Sequence, residues 1–274
     1  MMDYLYDGTF EGVLNCVYHH YYTDRAGRIC IKEEYQPSLF NDFMEVETDS
    51  AKATRVYDAI VEKISTYALQ TVYRAYLSND PEKEMKILRY LVLGFRDNYA
   101  AAHHRTDPAV FDMETMVKKV RCEKERMLQF VRFEVLVNNI MYAEIEPDND
   151  VLELIGDHFS DRFKSDPFII RDVRRDKAMF AYEGHWYISE GLPSDFDLTR
   201  SDDEIAYQHL WQTYFDHIAI KERINPGCQR NFMPARYWKH LTEMKRKAPG
   251  YDAVIFTPGV EKKTAKTVDE TFNL

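Results

Sequence analysis

Three short runs rich in apolar residues, Phe168 to Val173, Ala178 to Tyr182 and Trp186 to Ser189, are separated only by the turn signals Arg174-Arg175-Asp176 and Glu183-Gly184. Strands joined by such tight turns must run antiparallel, because a parallel return needs a crossover of a dozen or more residues. This excludes a doubly wound parallel sheet for this region and sets the class as α+β: an antiparallel sheet with packed helices and a large helical insertion.

The insertion runs from about residue 50 to 128. Val56, Ile60 and Ile64 recur at helical spacing after Asp49-Ser50, and Ala68, Val72 and Tyr76 continue the pattern beyond a break. Asp80-Pro81 and Asp107-Pro108 each place a capping side chain before a proline suited to the first helical turn. Upstream, Asp3 to Gly8 reads as a strand and turn. A helix carrying Phe10, Val13, Leu14, Val17, Tyr18 and Tyr21 at helical spacing follows, then strand candidates Ile29 to Ile31 and Phe43 to Val46. Downstream, the period changes to alternation at Val131, Phe133 and Val135; Asn138-Asn139 offers a hairpin turn into Ile140 to Ile145, and Asp150 with Glu153 reads as a capping box. The expected organisation is one composite domain over 1–260, with a sheet-forming part over about 129–190, C-terminal helices and a basic segment over 202–247, and a weakly ordered tail over 261–274.

The chain carries a formal net charge of −10 over 274 residues, which argues against a nonspecific polyanion binder and requires any nucleic-acid site to be local. From Lys221 to Lys247 eight Lys or Arg face two Glu, a local charge of +6. That segment supplies Arg223, Arg230, Arg236 and Lys239 for phosphates, Asn225 and Gln229 for a base edge or sugar, and Tyr237 and Trp238 for stacking on an exposed base. A second cluster, Arg171, Arg174 and Arg175, fits a strand-turn clamp on phosphates, since the guanidinium fork bonds two oxygens at once; the alternative is salt-bridged surface charge. No segment approaches the roughly 18 to 20 apolar residues of a membrane span, so a cytoplasmic protein is expected. Cys16, Cys30, Cys122 and Cys228 lack metal-ligand spacing and read as four buried, reduced thiols; no metal site and no cofactor are expected. His19-His20 and His103-His104 are adjacent pairs whose side chains diverge on a helix.

Nucleotide-binding glycine loops, zincin, esterase-elbow and zinc-deaminase signatures are absent from the sequence. If the protein is an enzyme acting on a base or nucleotide, Asp7 or Glu123 would be the general acid or base and His158 its partner, provided their surroundings tune them to the working pH. Convergence of these three with Arg230 in one pocket would favour catalysis; dispersal would favour a binding module.

Tyr6-Asp7-Gly8-Thr9-Phe10-Glu11-Gly12, Arg89-Tyr90-Leu91 with Gly94-Phe95, and Glu123-x-x-Arg126 ahead of Phe130-Val131-Arg132-Phe133 form ordered blocks. Tyr142-Ala143-x-Ile145-x-Pro147, His158-Phe159-x-x-Arg162-Phe163, Pro167-x-Ile169-Ile170-x-Asp172 and Trp211-x-x-Tyr214-Phe215 continue them. Together they resemble a bacterial family of unknown function linked to DNA metabolism and repair, over roughly residues 4 to 243. The resemblance implies a radical SAM partner that also acts in DNA modification or repair, and assigns no catalytic residue. This chain departs from the family's pattern at Glu125, Phe168 and Arg171, where His, Trp and His are usual. The function expected first is a nucleic-acid-binding accessory protein of DNA metabolism; the alternatives are a base- or nucleotide-modifying enzyme, and an adaptor that docks its partner without touching nucleic acid.

Overall fold

A computed structural model describes residues 2–37, 42–97 and 106–245. The chain divides into two compact units, Met1–Ile205 and Ala206–Leu274.

In the first unit, β1 (Met2–Tyr6), α1 (Phe10–Tyr22), β2 (Ala26–Ile31) and β3 (Asp42–Glu45) form a three-stranded sheet in the order β2-β1-β3. Both pairings are parallel. The helical insertion follows as α2 (Ser50–Lys63), α3 (Thr66–Tyr76), α4 (Lys83–Asp97) and α5 (Pro108–Phe130). Local chemistry sets their ends. Asp49 caps α2 through the Ala51 and Lys52 N–H groups, Ser65 caps α3 through Ala68, and Asp107 caps α5 through Ala109 with Pro108 in the first turn. The buried faces, including Val56, Ile60, Val72, Leu91 and Met113, join Tyr4, Tyr6, Val13 and Val17 in one apolar core.

The second sheet contains β4 (Glu134–Val135), β5 (Met141–Ile145), β6 (Phe168–Asp172), β7 (Lys177–Tyr182) and β8 (His185–Glu190), in that order. The hairpins β6-β7-β8 are antiparallel as their turns require. Glu183 and Gly184 both take positive φ, the backbone of a two-residue turn whose twist matches the strands. α6 (Leu152–Arg162) packs on this sheet so closely that a Cβ on Gly156 would stand 2.7 Å from the Trp186 ring and 2.8 Å from the Met179 methyl.

The α+β class thus holds, with three refinements. The strands on either side of the helices build two separate sheets. One of them is wholly parallel, because α1 supplies a crossover and β3 returns on the far side of β1. Within the other, β5 and β6 are parallel, because the intervening α6 makes the long return that a parallel pair needs. The Asp150/Glu153 capping box does not form. Val151 stands at the α6 N-cap without a side-chain bond, because Lys177 takes the Asp150 carboxylate and Tyr73 takes Glu153. Of the four thiols, Cys16 and Cys30 are buried, whereas Cys122 and Cys228 are exposed.

In the second unit, α7 (Asp202–Ile218), which starts just before the boundary, leads to a short 3-10 turn, α8 (Pro226–Phe232) and a 3-10 helix over Ala235–His240. The expected tail over 261–274, His103-His104, and Arg246 and Lys247 of the basic segment lie outside the described residues. Among the described residues no helix is long and apolar enough to cross a membrane.

Candidate functional site

Asp7 stands at the carboxyl end of the central strand β1, the edge at which parallel sheets commonly receive ligands. Gly8 takes φ +81°, turning the chain into α1, and Thr9 caps that helix by accepting from Gly12 N–H at 3.0 Å. The Asp7 carboxylate accepts from the Thr9 hydroxyl and the Thr48 hydroxyl, both at 2.7 Å, and from Thr9 N–H at 3.0 Å. Partial burial pushes this carboxyl up, but the bonds from Thr9 and Thr48 outweigh it and hold the group below the usual carboxylate range. A carboxylate so held ties the β1 turn to the segment after β3 and is poorly suited to donating a proton near neutrality.

Glu123 lies 2% exposed on α5 and serves the loop after β5. The Asp148 and Asn149 backbone N–H groups donate to its carboxylate at 2.9 and 2.7 Å, and the Asn149 side chain also donates to it. That loop is a hub. Asn149 Oδ1 accepts from Asn79 N–H at 3.1 Å, and Asp150 N–H donates to the Leu77 carbonyl at 2.9 Å. The β6-β7 turn grips it from the other side: Arg175 donates to the Pro147 and Asp148 carbonyls and to the Asp172 carboxylate, while Arg174 pairs with Asp148 at 2.9 Å. Arg171 pairs with Asp176 at 2.9 Å. The three hairpin arginines therefore each meet an aspartate of their own unit, the salt-bridged arrangement. His158 is exposed on α6, its ring edge-on to Phe159 at 5.1 Å between centroids. Asp7, Glu123 and His158 thus serve a turn, a loop and a helix surface.

The basic segment separates its anchors from its charges. Asn225 caps α8 through Cys228 N–H at 3.0 Å, the Gln229 amide points to Met244 Sδ at 3.7 Å, and the Trp238 indole donates to the Met233 carbonyl at 2.9 Å. Tyr237 is buried; its hydroxyl accepts from Arg236 at 2.6 Å, and that guanidinium also lies 4.7 Å from its ring centroid. Arg223, Arg230, Arg236 and Lys239 are exposed. The amides and aromatics nominated for base contacts are engaged in holding the segment's shape, Arg236 among their partners, while all four cations stay exposed at its surface, Arg230 with its Nε on the Pro226 carbonyl at 3.3 Å. Burial of Tyr237 is the physical reason it offers no face for stacking.

A second region that pairs aromatic rings with a cation is marked in the sequence only by helical spacing. Against α1, Tyr18 stacks on Tyr22 with centroids 4.4 Å apart, and Arg55 of α2 donates to the Tyr22 hydroxyl at 3.1 Å. The residues are spaced i and i+4 on α1, a signal that alone is indistinguishable from a core stripe. Among the described residues no group of three His, Cys, Asp or Glu side chains is placed to hold a metal ion.

Fold and site together define an α+β protein in which Asp7 and Glu123 support the architecture, His158 lies on a helix surface and clusters of cations occupy the surface. The chain belongs to a family defined as a domain of unknown function (DUF4130), whose model matches residues 81–243. No curated protein and no solved structure matches it.

Proposed function

We propose that this protein is a nucleic-acid-binding accessory protein of DNA metabolism, working with a radical SAM partner and contacting phosphates through Arg223, Arg230, Arg236 and Lys239. The observation that carries this reading is the separation within one short segment of anchoring side chains from exposed cations. Cations held on a shaped backbone suit a phosphate ladder, and they require no base contact. The assignment to DNA metabolism and the radical SAM partnership rest on the resemblance of the sequence blocks. A binding role is favoured over catalysis because Asp7 and Glu123 are both engaged in structural hydrogen bonds. The test is binding of DNA as a function of salt. An Arg223→Ala/Arg230→Ala variant is expected to weaken binding uniformly across sequences and to lower the salt slope by roughly one to two units; wild-type affinity and slope in that variant would refute the phosphate role.

A second reading, docking of a protein partner, is favoured by α7. It has no buried residue, and Tyr207, Leu210, Tyr214 and Ile218 are exposed at helical spacing along it. Leu210→Lys is expected to abolish co-purification with the radical SAM protein while leaving DNA binding intact; an undisturbed complex would remove this reading.

A further inference from the structure

Two adjoining grooves in the first unit combine aromatic faces with cations, and among the described residues none of their lining belongs to the C-terminal segment. The first, of about 480 Å³, is lined by Tyr18, Tyr21, Tyr22, Arg55, Lys63 and Phe95 among others. The second, of about 720 Å³, is lined by His20, Arg25, Arg89, Arg96 and Asp107, and Tyr21 borders both. These volumes are of the size that takes a small planar ligand or a nucleotide.

The packing presents these side chains to solvent. Tyr21 is 49% and Tyr22 61% exposed, although both leave a helix whose other face, through Val13, Leu14 and Val17, is fully in the core. Tyr22 is nevertheless fixed: Tyr18 stacks beneath it at 26° between planes, and the Arg55 guanidinium lies 5.1 Å from its centroid. Tyr21 stands edge-on to Phe95 at 5.8 Å. A rigid ring held half in water by a cation is costly to leave uncovered and effective at receiving another π system. The charge pattern is equally selective. Arg25, Lys63 and Arg89 are exposed and meet no acid among the described residues, whereas Arg96 is neutralised by Asp97 at 2.7 Å. His20 accepts from Ala26 N–H through Nδ1 at 3.1 Å, which leaves its other ring nitrogen as a donor. On a chain of net charge −10, cations without acidic partners among the described residues, lining grooves that Tyr21 borders, answer to a ligand that carries both negative charge and flat aromatic groups.

We infer that these grooves are a binding path for single-stranded nucleic acid, with bases stacking on Tyr22 and Tyr21 and phosphates meeting Arg55, Lys63, Arg25 and Arg89. A duplex hides its base faces, so the path selects unpaired strands. The inference shares its ligand class with the function proposed above but rests on a different surface, so the two can fail separately.

The test uses the full-length protein and labelled oligonucleotides of about ten nucleotides. They are offered as single-stranded DNA, single-stranded RNA and the matching DNA duplex, with circular dichroism to confirm folding of each variant. Tyr22→Ala is expected to weaken single-strand binding by about tenfold or more, whereas Tyr22→Phe, which keeps the ring, stays within about threefold of wild type. Arg55→Ala weakens binding and flattens its salt dependence. Photo-crosslinks from a halogenated base should map to Tyr21 or Tyr22, and the tighter of DNA and RNA identifies the natural strand. Wild-type affinity in folded Tyr22→Ala and Arg55→Ala, or crosslinks confined to residues 221–245, overturns the groove while leaving the C-terminal phosphate role standing. Loss in the groove variants with none in Arg223→Ala/Arg230→Ala does the reverse. A protein that binds none of the three oligonucleotides overturns both.

Discussion

Arg175 distinguishes a phosphate clamp from a structural bolt. Its guanidinium bonds the Asp172 carboxylate at 2.9 Å, and that side chain is 0% exposed. It also holds the carbonyls of Pro147 and Asp148. Arg175→Ala leaves Asp172, among the described residues, with the Arg174 and Arg175 backbone N–H groups at 3.0 and 3.3 Å. Breaking a buried pair from one side costs about 3–5 kcal/mol, because the remaining charge keeps its desolvation penalty without its partner. At about 2–4 °C per kcal/mol for a unit of this size, the melting temperature should fall by roughly 6–20 °C. The neighbouring Arg174→Ala removes a pair whose arginine is 47% exposed and should cost less than about 1 kcal/mol. The pH dependence carries a sign as well. Burial pushes the Asp172 carboxyl up against the opposing pull of Arg175, and removing Arg175 raises it further. A folded-state pKa above the unfolded one means that the folded protein binds the extra proton, so the variant's deficit is largest above the folded pKa and shrinks as pH falls through it. Thermal and urea unfolding of both variants across pH 4 to 8, followed by far-UV circular dichroism, would measure this. Equal stability of Arg175→Ala and Arg174→Ala, with nucleic-acid binding lost in the former, would refute the structural assignment.

Glu123→Ala strands the Asp148 and Asn149 N–H groups at the same hub and should cost at least about 3 kcal/mol in urea unfolding. Gly156→Ala should cost about 1–3 kcal/mol, because the new methyl must displace the Trp186 ring or the Met179 side chain; chemical denaturation reads it directly. Asp80 is pushed up by burial but more strongly pulled down by Lys86 and the Glu82 N–H, so its carboxyl lies below the usual range. Its contribution is therefore full above about pH 4 and lost as pH falls through the folded-state pKa. The stability difference between wild type and Asp80→Asn, measured by thermal unfolding, should vanish in acid; a constant difference down to pH 2 would contradict the ion pair.

Where one side chain and its own backbone decide the outcome, the sequence was a sufficient guide. Asp107-Pro108 starts α5, and Glu183-Gly184 makes the β7-β8 turn. Pairings between distant strands carry no local mark, and so the parallel β2-β1-β3 sheet is absent from the hydrophobic pattern. Tertiary competition overrode local grammar at α6: Asp150 and Glu153 satisfy the capping pattern, but Lys177 and Tyr73, from other elements, take both carboxylates. The same division runs through the functional residues. Exposure of Arg223 and Arg230 follows from a polar segment, whereas the Tyr18–Tyr22–Arg55 arrangement exists only because α1 packs against α2. Cys122 is exposed because it falls between Val120 and Glu123, off the buried stripe of α5.

The hub at residues 147–150 has a bearing on what counts as the inheritable piece of this protein. The family match starts at residue 81, yet the Leu77 carbonyl and Asn79 N–H that brace the hub lie just upstream, and the core shared by α4 and α5 is completed by β1, α1, α2 and α3. The segment from 81 to 243 is therefore a unit of sequence similarity but not of folding. Excised, it would leave the Asp150 N–H and the Asn149 Oδ1 without their Leu77 and Asn79 partners and one side of its helices open to water. A graft or truncation that respects the family boundary would divide the core that β1, α1, α2 and α3 share with α4 and α5.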